Sequence, residues 1–391
     1  MSINQLAKKY KQYVVDLRRE FHTWPELSWQ EKRTSKRIKE ELKKIGIPYT
    51  AVAETGVVAT IKGKSDKPLV ALRADIDALN VNEDNDIEYK SKNEGVMHAC
   101  GHDGHIAMLL GAAKILNELK HEIDGSVKLI FQPAEEVIQG AKRMLEEGVL
   151  ENVSAIFGIH LWSNLEIGKV SLEEGPRMAT ADKFTIKVTG KGCHGSSPHE
   201  GVDALVAASA IVMNLQTVVS REINPLEPAV VSIGKFYSGT KYNVIASEAI
   251  LEGTTRCFNP NIRNDFPKII ERITKDTAES FRAKAELIYE FSTPPTINNP
   301  YCSQIAAKAA EKVLNKDAIV RMEKVTGGED FAIYLEKVPG ALIFLGAGNK
   351  EKGIVYPHHS EKFNIDEEAL EIGTALYAQL AIEYLKSEQH N

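Results

Sequence analysis

The hydrophobic pattern of this chain changes character twice, and that constrains the fold more than any other feature. In the N-terminal part, Leu6, Tyr10, Val14 and Leu17 recur at helical spacing, and residues 33–45 form a second amphipathic run closed by Gly46 and Pro48. Short β-rich runs at 56–61, 69–72, 126–131 and 155–159 then alternate with helical stretches at 106–119 and 141–147. Alternation of this kind builds a layered α/β sheet. From Ala181 the order becomes strand 184–188, helix 203–219, strands 229–236 and 248–256, helix 266–283 and strand 285–291. That βαββαβ order is the pattern of a small ferredoxin-like domain. After Pro294 and Pro295 the α/β pattern resumes across 301–385. The expectation is a discontinuous α/β protein: residues 1–180 and 294–391 form the larger domain, and residues 181–293 are inserted into it. A length of 391 residues fits two cores, since single cores stop growing beyond about 250–300 residues.

Composition narrows the function. A net charge of −6, with both signs spread along the chain, argues against a nucleic-acid partner, which needs a basic face. The polar start lacks an apolar secretory core, and no run of about 18 apolar residues stands out. No membrane span is therefore expected. Cys100, Cys193, Cys257 and Cys302 are scattered without pairing logic, which suggests reduced thiols and a cytoplasmic home.

Chemistry concentrates in Met97-His98-Ala99-Cys100-Gly101-His102-Asp103-Gly104-His105. Soft and borderline ligands packed among carboxylates point to a divalent metal site. The segment follows Arg73-Ala74-Asp75-Ile76-Asp77 and precedes Gln132-Pro133-Ala134-Glu135-Glu136. His160 closes an apolar strand, and His358-His359 sit in a loop after another at 342–345. Sites in open α/β sheets collect at the C-terminal ends of strands. Adjacent carboxylates such as Glu135 and Glu136 point apart and can do two jobs, one binding metal while the other accepts a proton from water. An acidic first helical turn is the alternative for that pair. Residues 190–204 hold His194 on a glycine-rich loop, where it could cap locally or face a developing oxyanion. Asn243 is equally open, and Arg256 reads either as a surface charge or as a fork for a substrate carboxylate.

These motifs in this order, together with Gly327-Gly328-Glu329-Asp330-Phe331 and the Phe21-His22-Thr23-Trp24-Pro25-Glu26-Leu27-Ser28 segment, resemble the M20 metallopeptidase family over nearly the whole chain. The likeness is to its branch of N-acyl-amino-acid amidohydrolases, which includes aminoacylases, hippurate hydrolases and N-acetyldiaminopimelate deacetylases. The resemblance implies an α/β/α catalytic domain with the inserted domain serving as a lid and dimerisation module. It implies two divalent metal ions per subunit, with Mn, Zn, Co and Ni all admissible. Cys100 would bridge them, and His102, Glu136, His160 and His359 would complete the set. His359 is preferred over His358 because His-Ser-x-x-Phe fits the family spacing. Glu135 would be the general base that later protonates the leaving amine, and Asp75 and Asp77 would sit behind the ligands. His194 would stabilise the oxyanion, in this family often across a dimer interface. Asn243 and Arg256 would hold the substrate carboxylate, and Gly328 would line the pocket.

The sequence departs from the family at Asn80 and Ala246, where prolines are common. Neither is a proposed ligand, so local loop changes are expected. The expected activity is hydrolysis of an N-acetyl or N-aroyl amino acid, a small-molecule substrate, by a homodimer or a dimer of dimers. A dipeptidase or carboxypeptidase of the same family is the close alternative. A non-catalytic member would need a lost ligand or base, and none is lost. A thiol enzyme using Cys100 would leave the carboxylates and distant histidines unexplained.

Overall fold

The computed structural model describes residues 1–388. In chain order its first elements are α1 (Ile3–Thr23), α2 (Lys32–Ile45), β1 (Tyr49–Val52), β2 (Gly56–Lys62), β3 (Leu69–Asp75), α3 (His102–Glu118), β4 (Ser126–Gln132), α4 (Gly140–Glu146), β5 (Ala155–Glu166), β6 (Val170–Ser171) and β7 (Gly175–Met178). Then come β8 (Ala181–Thr189), α5 (Ala204–Asn214), β9 (Ala229–Ser238), β10 (Glu248–Cys257), α6 (Pro260–Ser280), β11 (Lys284–Thr293) and β12 (Thr296–Asn298). The chain finishes with α7 (Pro300–Val313), α8 (Phe331–Leu335), β13 (Gly340–Gly348) and α9 (Glu368–Glu388). It divides into two compact units. The first comprises Met1–Gly175, Ile297–Glu323 and the chain from Asp330 onward; the second comprises Pro176–Thr296 and Lys324–Glu329. The last of these segments joins the second unit because Val325 and Gly327 accept from the Ala179 amide at 3.0 and 3.1 Å, while the Val325 amide donates to Arg177 at 2.9 Å.

The first unit is built on a seven-stranded sheet of order β1-β2-β4-β3-β5-β13-β6. Its centre, β4-β3-β5-β13, is parallel, so these strands carry continuous apolar runs rather than alternation. Val70, Leu72 and Ala74 of β3 turn into a core shared with α1, α3 and α9. Arg73 turns to the opposite face and lies 5.7 Å over the Phe331 ring of α8. Helices therefore cover both faces. α3 is buried along almost its whole length, as expected of a helix that is apolar on every side. α1 starts at a reciprocal cap, Ser2 Oγ accepting from the Gln5 amide at 3.2 Å and Gln5 Oε1 from the Ser2 amide at 2.8 Å. α2 stops at Gly46, whose φ of 80° is the left-handed turn glycine provides most cheaply.

The second unit is a four-stranded antiparallel sheet of order β11-β8-β10-β9 with α5 and α6 on one face. Phe184, Ile186 and Val188 of β8 and Leu251 of β10 meet Ala207 and Ile211 of α5 and Phe266 and Ile270 of α6. Asp203 caps α5, accepting from the Leu205 and Val206 amides. The helical stretch Ala204–Glu222 is long and apolar enough to cross a membrane by length and composition, with a mean hydropathy of 1.3. Ser209, Asn214, Gln216 and Thr217 interrupt the run without lowering its average below that of a spanning segment. Ala204, Ala207, Ala208, Ile211, Leu215 and Val218 are packed in the core of this unit, so one face of the helix is buried there.

Candidate metal centre and active site

Parallel strands deliver their C-terminal ends to one edge of a sheet, and the chemistry-bearing residues of the first unit gather there. β3 ends on Asp75, with Asp77 two residues on. β4 ends on Gln132, before the turn Pro133-Ala134-Glu135-Glu136. β5 carries His160, and the chain beyond β13 carries His359. α3 begins at His102, just after Gly101, whose φ of 87° allows the reversal that sets Cys100 beside the helix start.

The ligand-type atoms of Cys100, His102 and His160 lie within 4.8 Å of one another; so do those of Cys100, Glu136 and His359, and those of His102, Glu135 and Glu136. Cys100 belongs to the first two groups. Its Sγ is 3.7 Å from His160 Nε2. His359 Nε2 is 3.6 Å from Glu136 Oε2. His102 Nε2 is buried and makes no hydrogen bond among the described residues. Carboxylate oxygens of Asp75, Glu136 and Glu135 stand 3.6, 3.7 and 3.9 Å from it. Donors each about 2 Å from one ion stand roughly 3–4 Å apart, so these spacings suit a shared cation.

Hydrogen bonds fix which ring nitrogen of each histidine is available. His102 Nδ1 donates to the Asp77 carbonyl at 2.9 Å, and His160 Nδ1 to the Leu161 carbonyl at 2.8 Å. Both leave Nε2 as a lone pair. Burial and the neighbouring His105 and His358 push the His160 pKa well below 6.5, which keeps that imidazole neutral. At His102 burial opposes charge, but the surrounding carboxylates, Asp75 first, raise its pKa to about 10. The same carboxylates favour positive charge at Nε2, which a cation bound to its lone pair supplies in place of a proton.

Asp75 and Asp77 are wholly buried behind these groups. Asp77 Oδ2 accepts from Ser28 Oγ at 2.7 Å and from the Glu136 amide at 3.0 Å. Asp75 receives Arg73 Nη1 at 2.6 Å and His105 Nδ1 at 2.5 Å. Burial pushes the Asp75 carboxyl up, yet His102, Arg73 and His105 together hold it well below the usual range.

His358 and His359 separate cleanly. His358 Nε2 donates to the Leu161 carbonyl at 3.0 Å, and its ring lies 4.4 Å from that of Trp162. His359 turns toward Cys100 and Glu136 from a left-handed backbone, φ 64°, with its amide donating to the Ala99 carbonyl at 2.8 Å. Of the other residues in the 97–105 segment, His98 is buried with neither ring nitrogen hydrogen-bonded, and Asp103 pairs with Arg18 and His22 at 2.8 Å.

Two residues that the sequence motifs contain without a role also contribute. His105 bonds Asp75 and accepts the Leu161 amide at 2.9 Å; its place three residues after His102 on one helix face was the available signal. Asp330 binds Arg73 Nη2 at 3.0 Å, Gln132 Nε2 at 2.8 Å and the Ala141 amide at 2.9 Å. It thereby fastens the ends of β3 and β4.

His194, Asn243, Arg256 and Gly328 all lie in the second unit. His194 Nδ1 accepts from the Ser196 amide at 3.1 Å, and the neighbouring Gly195 amide donates to the Asn243 carbonyl at 2.8 Å. The two loops are thus seated side by side. Half-buried Arg256 donates from Nη1 to the Thr180 carbonyl at 3.3 Å. A Cβ placed on Gly328 would come within 3.5 Å of that same Nη1.

Residues 71–383 match Peptidase family M20/M25/M40. The N-acetylcysteine deacetylase of Bacillus subtilis is 41% identical over 97% of this chain and 99% of its own. Thermostable carboxypeptidase 1 of Saccharolobus solfataricus is 41% identical over 97% of each chain. Among solved structures, the Bacillus subtilis YXEP protein, described as a dinuclear metal-binding peptidase of the M20 family, superposes with a TM-score of 0.87 at 38% identity, covering 97% of this chain and 99% of that one. Both named relatives cut amide bonds, and the chain belongs to Peptidase family M20/M25/M40, on its N-acyl-amino-acid amidohydrolase branch, as a hydrolase of such bonds.

Proposed function

We propose that the chain hydrolyses N-acyl amino acids, with acetyl or aroyl groups, to a carboxylate and a free amino acid. The observation that carries the reading is the pair of donor groups sharing Cys100, with Glu135 beside them. We assign Cys100, His102, Glu136, His160 and His359 to two divalent ions, and the thiolate among carboxylate and imidazole donors admits Zn, Co, Ni or Mn. Such ions, when bound, lower the pKa of a water molecule and polarise the amide carbonyl. Glu135 would accept a proton from the attacking water and return it to the departing amine. Asp77 holds the His102 ring and the Glu136 amide in place. Asp75 supplies negative charge behind them.

His194 is assigned to the developing oxyanion. Asn243 and Arg256 are assigned to the substrate carboxylate, and Gly328 keeps the space beside Arg256 open. Among the described residues Arg256 forms no ion pair; a backbone carbonyl is its hydrogen-bond partner. That supports a guanidinium reserved for a carboxylate from outside the chain. The first unit takes the catalytic role, and the second that of lid and dimerisation module.

A homodimer is supported by the outer surface of the second unit. Leu205, Val206 and Met213 on α5 are exposed beside the sheet edge β9, which exposes Val230, Phe236 and Tyr237. An apolar face next to unpaired strand groups invites a second copy. The cytoplasm is the proposed compartment, since all four cysteines are free thiols.

The peptidase alternative has the carboxypeptidase relative in its favour, so the test includes both substrate classes. The enzyme is stripped of metal, reloaded separately with Mn, Zn or Co, and offered N-acetyl and N-benzoyl amino acids alongside dipeptides. Metal-restored amine release from the acyl amino acids is the expected result. Cleavage of dipeptides alone would move the assignment to a peptidase.

A further inference from the structure

The segment Ser28–Glu31 belongs to none of the donor groups, yet it touches the catalytic turn at two points and reaches it at a third through Asp77. Glu31 Oε1 accepts from the Ala134 amide at 3.0 Å. Trp29 Nε1 donates to Gln139 Oε1 at 3.1 Å, at the far end of the same turn. Ser28 Oγ donates to Asp77 Oδ2 at 2.7 Å, the oxygen that also receives the Glu136 amide. A backbone bond from the Ala78 amide to the Glu26 carbonyl, 2.9 Å, seats the segment beside Asp77.

The turn needs holding. Ala134, immediately before Glu135, has a φ of 54°, and Ile138 has 56°. Both are left-handed conformations that a side chain disfavours. At Gly140 a Cβ would stand 1.6 Å from the Pro133 carbonyl oxygen, so the backbone is folded back on itself as tightly as glycine allows. Strained backbone persists only where its surroundings over-determine it. Glu31 is completely buried, and its second oxygen accepts from Thr55 Oγ1 at 2.7 Å. Burial pushes its pKa up to about 7, so the fold tolerates a costly group to keep an acceptor at this spot.

We propose that Glu31 and Ser28 are positioning residues for the hydrolytic reaction: Glu31 locks the left-handed Ala134 so that Glu135 points at the reacting water, and Ser28 sets Asp77 so that it holds Glu136. The inference rests on the reading of Glu135 as base and Glu136 as ligand. Neither Glu31 nor Ser28 touches substrate; each acts through the turn.

The test compares Glu31→Gln, Thr55→Val and wild type at saturating metal, reading kcat, KM, metal content and thermal midpoint. Glutamine keeps the shape but replaces the charged acceptor of the Ala134 amide with a neutral oxygen, its NH2 turning to Thr55 Oγ1, so the bond is weakened. Glu31→Gln is expected to lower kcat by about 10–100-fold, with KM within about twofold and metal content unchanged. Thr55→Val removes the other partner of Glu31 and leaves the Ala134 bond, so its kcat should stay within about threefold of wild type. Combining Ala134→Gly with Glu31→Gln should recover part of the loss, because glycine adopts this φ unaided. Wild-type kcat in Glu31→Gln, or an equal loss in Thr55→Val, would overturn the proposal. Should Glu31→Gln not fold, hydrogen exchange on the wild-type protein decides: the Ala134 amide must be protected, and fast exchange there sinks the idea. Ser28→Ala should weaken metal affinity by about tenfold in a chelator competition that needs no substrate. That readout and the exchange experiment remain decisive even if no acyl amino acid is cleaved, an outcome that would count against the proposed substrate alone.

Discussion

Replacing Asp77 by Asn tests whether the metal ligands are held from behind. The Asp77 carboxylate accepts from Ser28 Oγ at 2.7 Å and from the Glu136 amide at 3.0 Å, and its other oxygen is 3.4 Å from His102 Nδ1. Asparagine keeps the volume but has one acceptor oxygen, and its NH2 must face a donor. The NH2 then faces the His102 Nδ1–H across 3.4 Å, and the two bonds to Ser28 and Glu136 fall on a neutral instead of a charged oxygen, together worth roughly 1.5–3 kcal/mol. At about 1.4 kcal/mol per tenfold, metal affinity should fall roughly 10–100-fold. The assay is a zinc titration of metal-free protein against a chromophoric chelator, with circular dichroism to verify the fold. An affinity within about twofold of wild type would refute the account of the Asp77 carboxylate as the support of Glu136 beside His102.

Three further outcomes are expected. Glu135→Gln should keep its full metal content and lose about 10²–10⁴-fold in kcat, checked by elemental analysis beside amine release. Arg18→Met should destabilise the first unit by about 3–5 kcal/mol in urea unfolding, because buried Arg18 binds Asp103 at 2.8 Å and Asn364 at 3.0 Å and its loss leaves a charge behind. Burial pushes Glu41 up, but Lys44, Arg37 and Tyr13 bring its pKa down to about 2 from an ordinary 4.5. Its stabilisation is therefore complete above the unfolded value of 4.5 and fades as pH falls toward 2. The full shift amounts to about 3 kcal/mol at 1.36 kcal/mol per unit, and solvent screening of its partners reduces this to roughly 1–2 kcal/mol. Glu41→Gln should cost that much at pH 7 and progressively less as pH falls from 4.5 toward 2, measured by urea unfolding at each pH.

The layered sheet and the inserted βαββαβ unit were legible because hydrophobic periodicity reports burial directly. The donor residues were legible because they cluster locally or close apolar strands. The failures have a common physical cause. Periodicity placed the start of α3 at Ile106, yet the helix begins at His102, since its first turn is polar and buried by charge pairing rather than by apolar contact. β5 runs on through His160 to Glu166 because β13 pairs with it that far, and that partner lies nearly two hundred residues away. Glu31, Asp330 and His105 matter through contacts between distant segments, which no local pattern records. The choice of His359 over His358 followed motif spacing, and geometry adds a reason: His358 is already engaged by Leu161.

The measurement that bears most directly on the central claim is metal stoichiometry after equilibrium dialysis of wild type and Cys100→Ser, with N-acetyl amino acid hydrolysis followed on the same samples. The account predicts two ions per wild-type subunit, activity that rises with occupancy, and fewer ions with parallel loss of turnover when the shared thiolate is removed. Hydrolysis that persists in metal-free protein, or unchanged occupancy in Cys100→Ser, would contradict it.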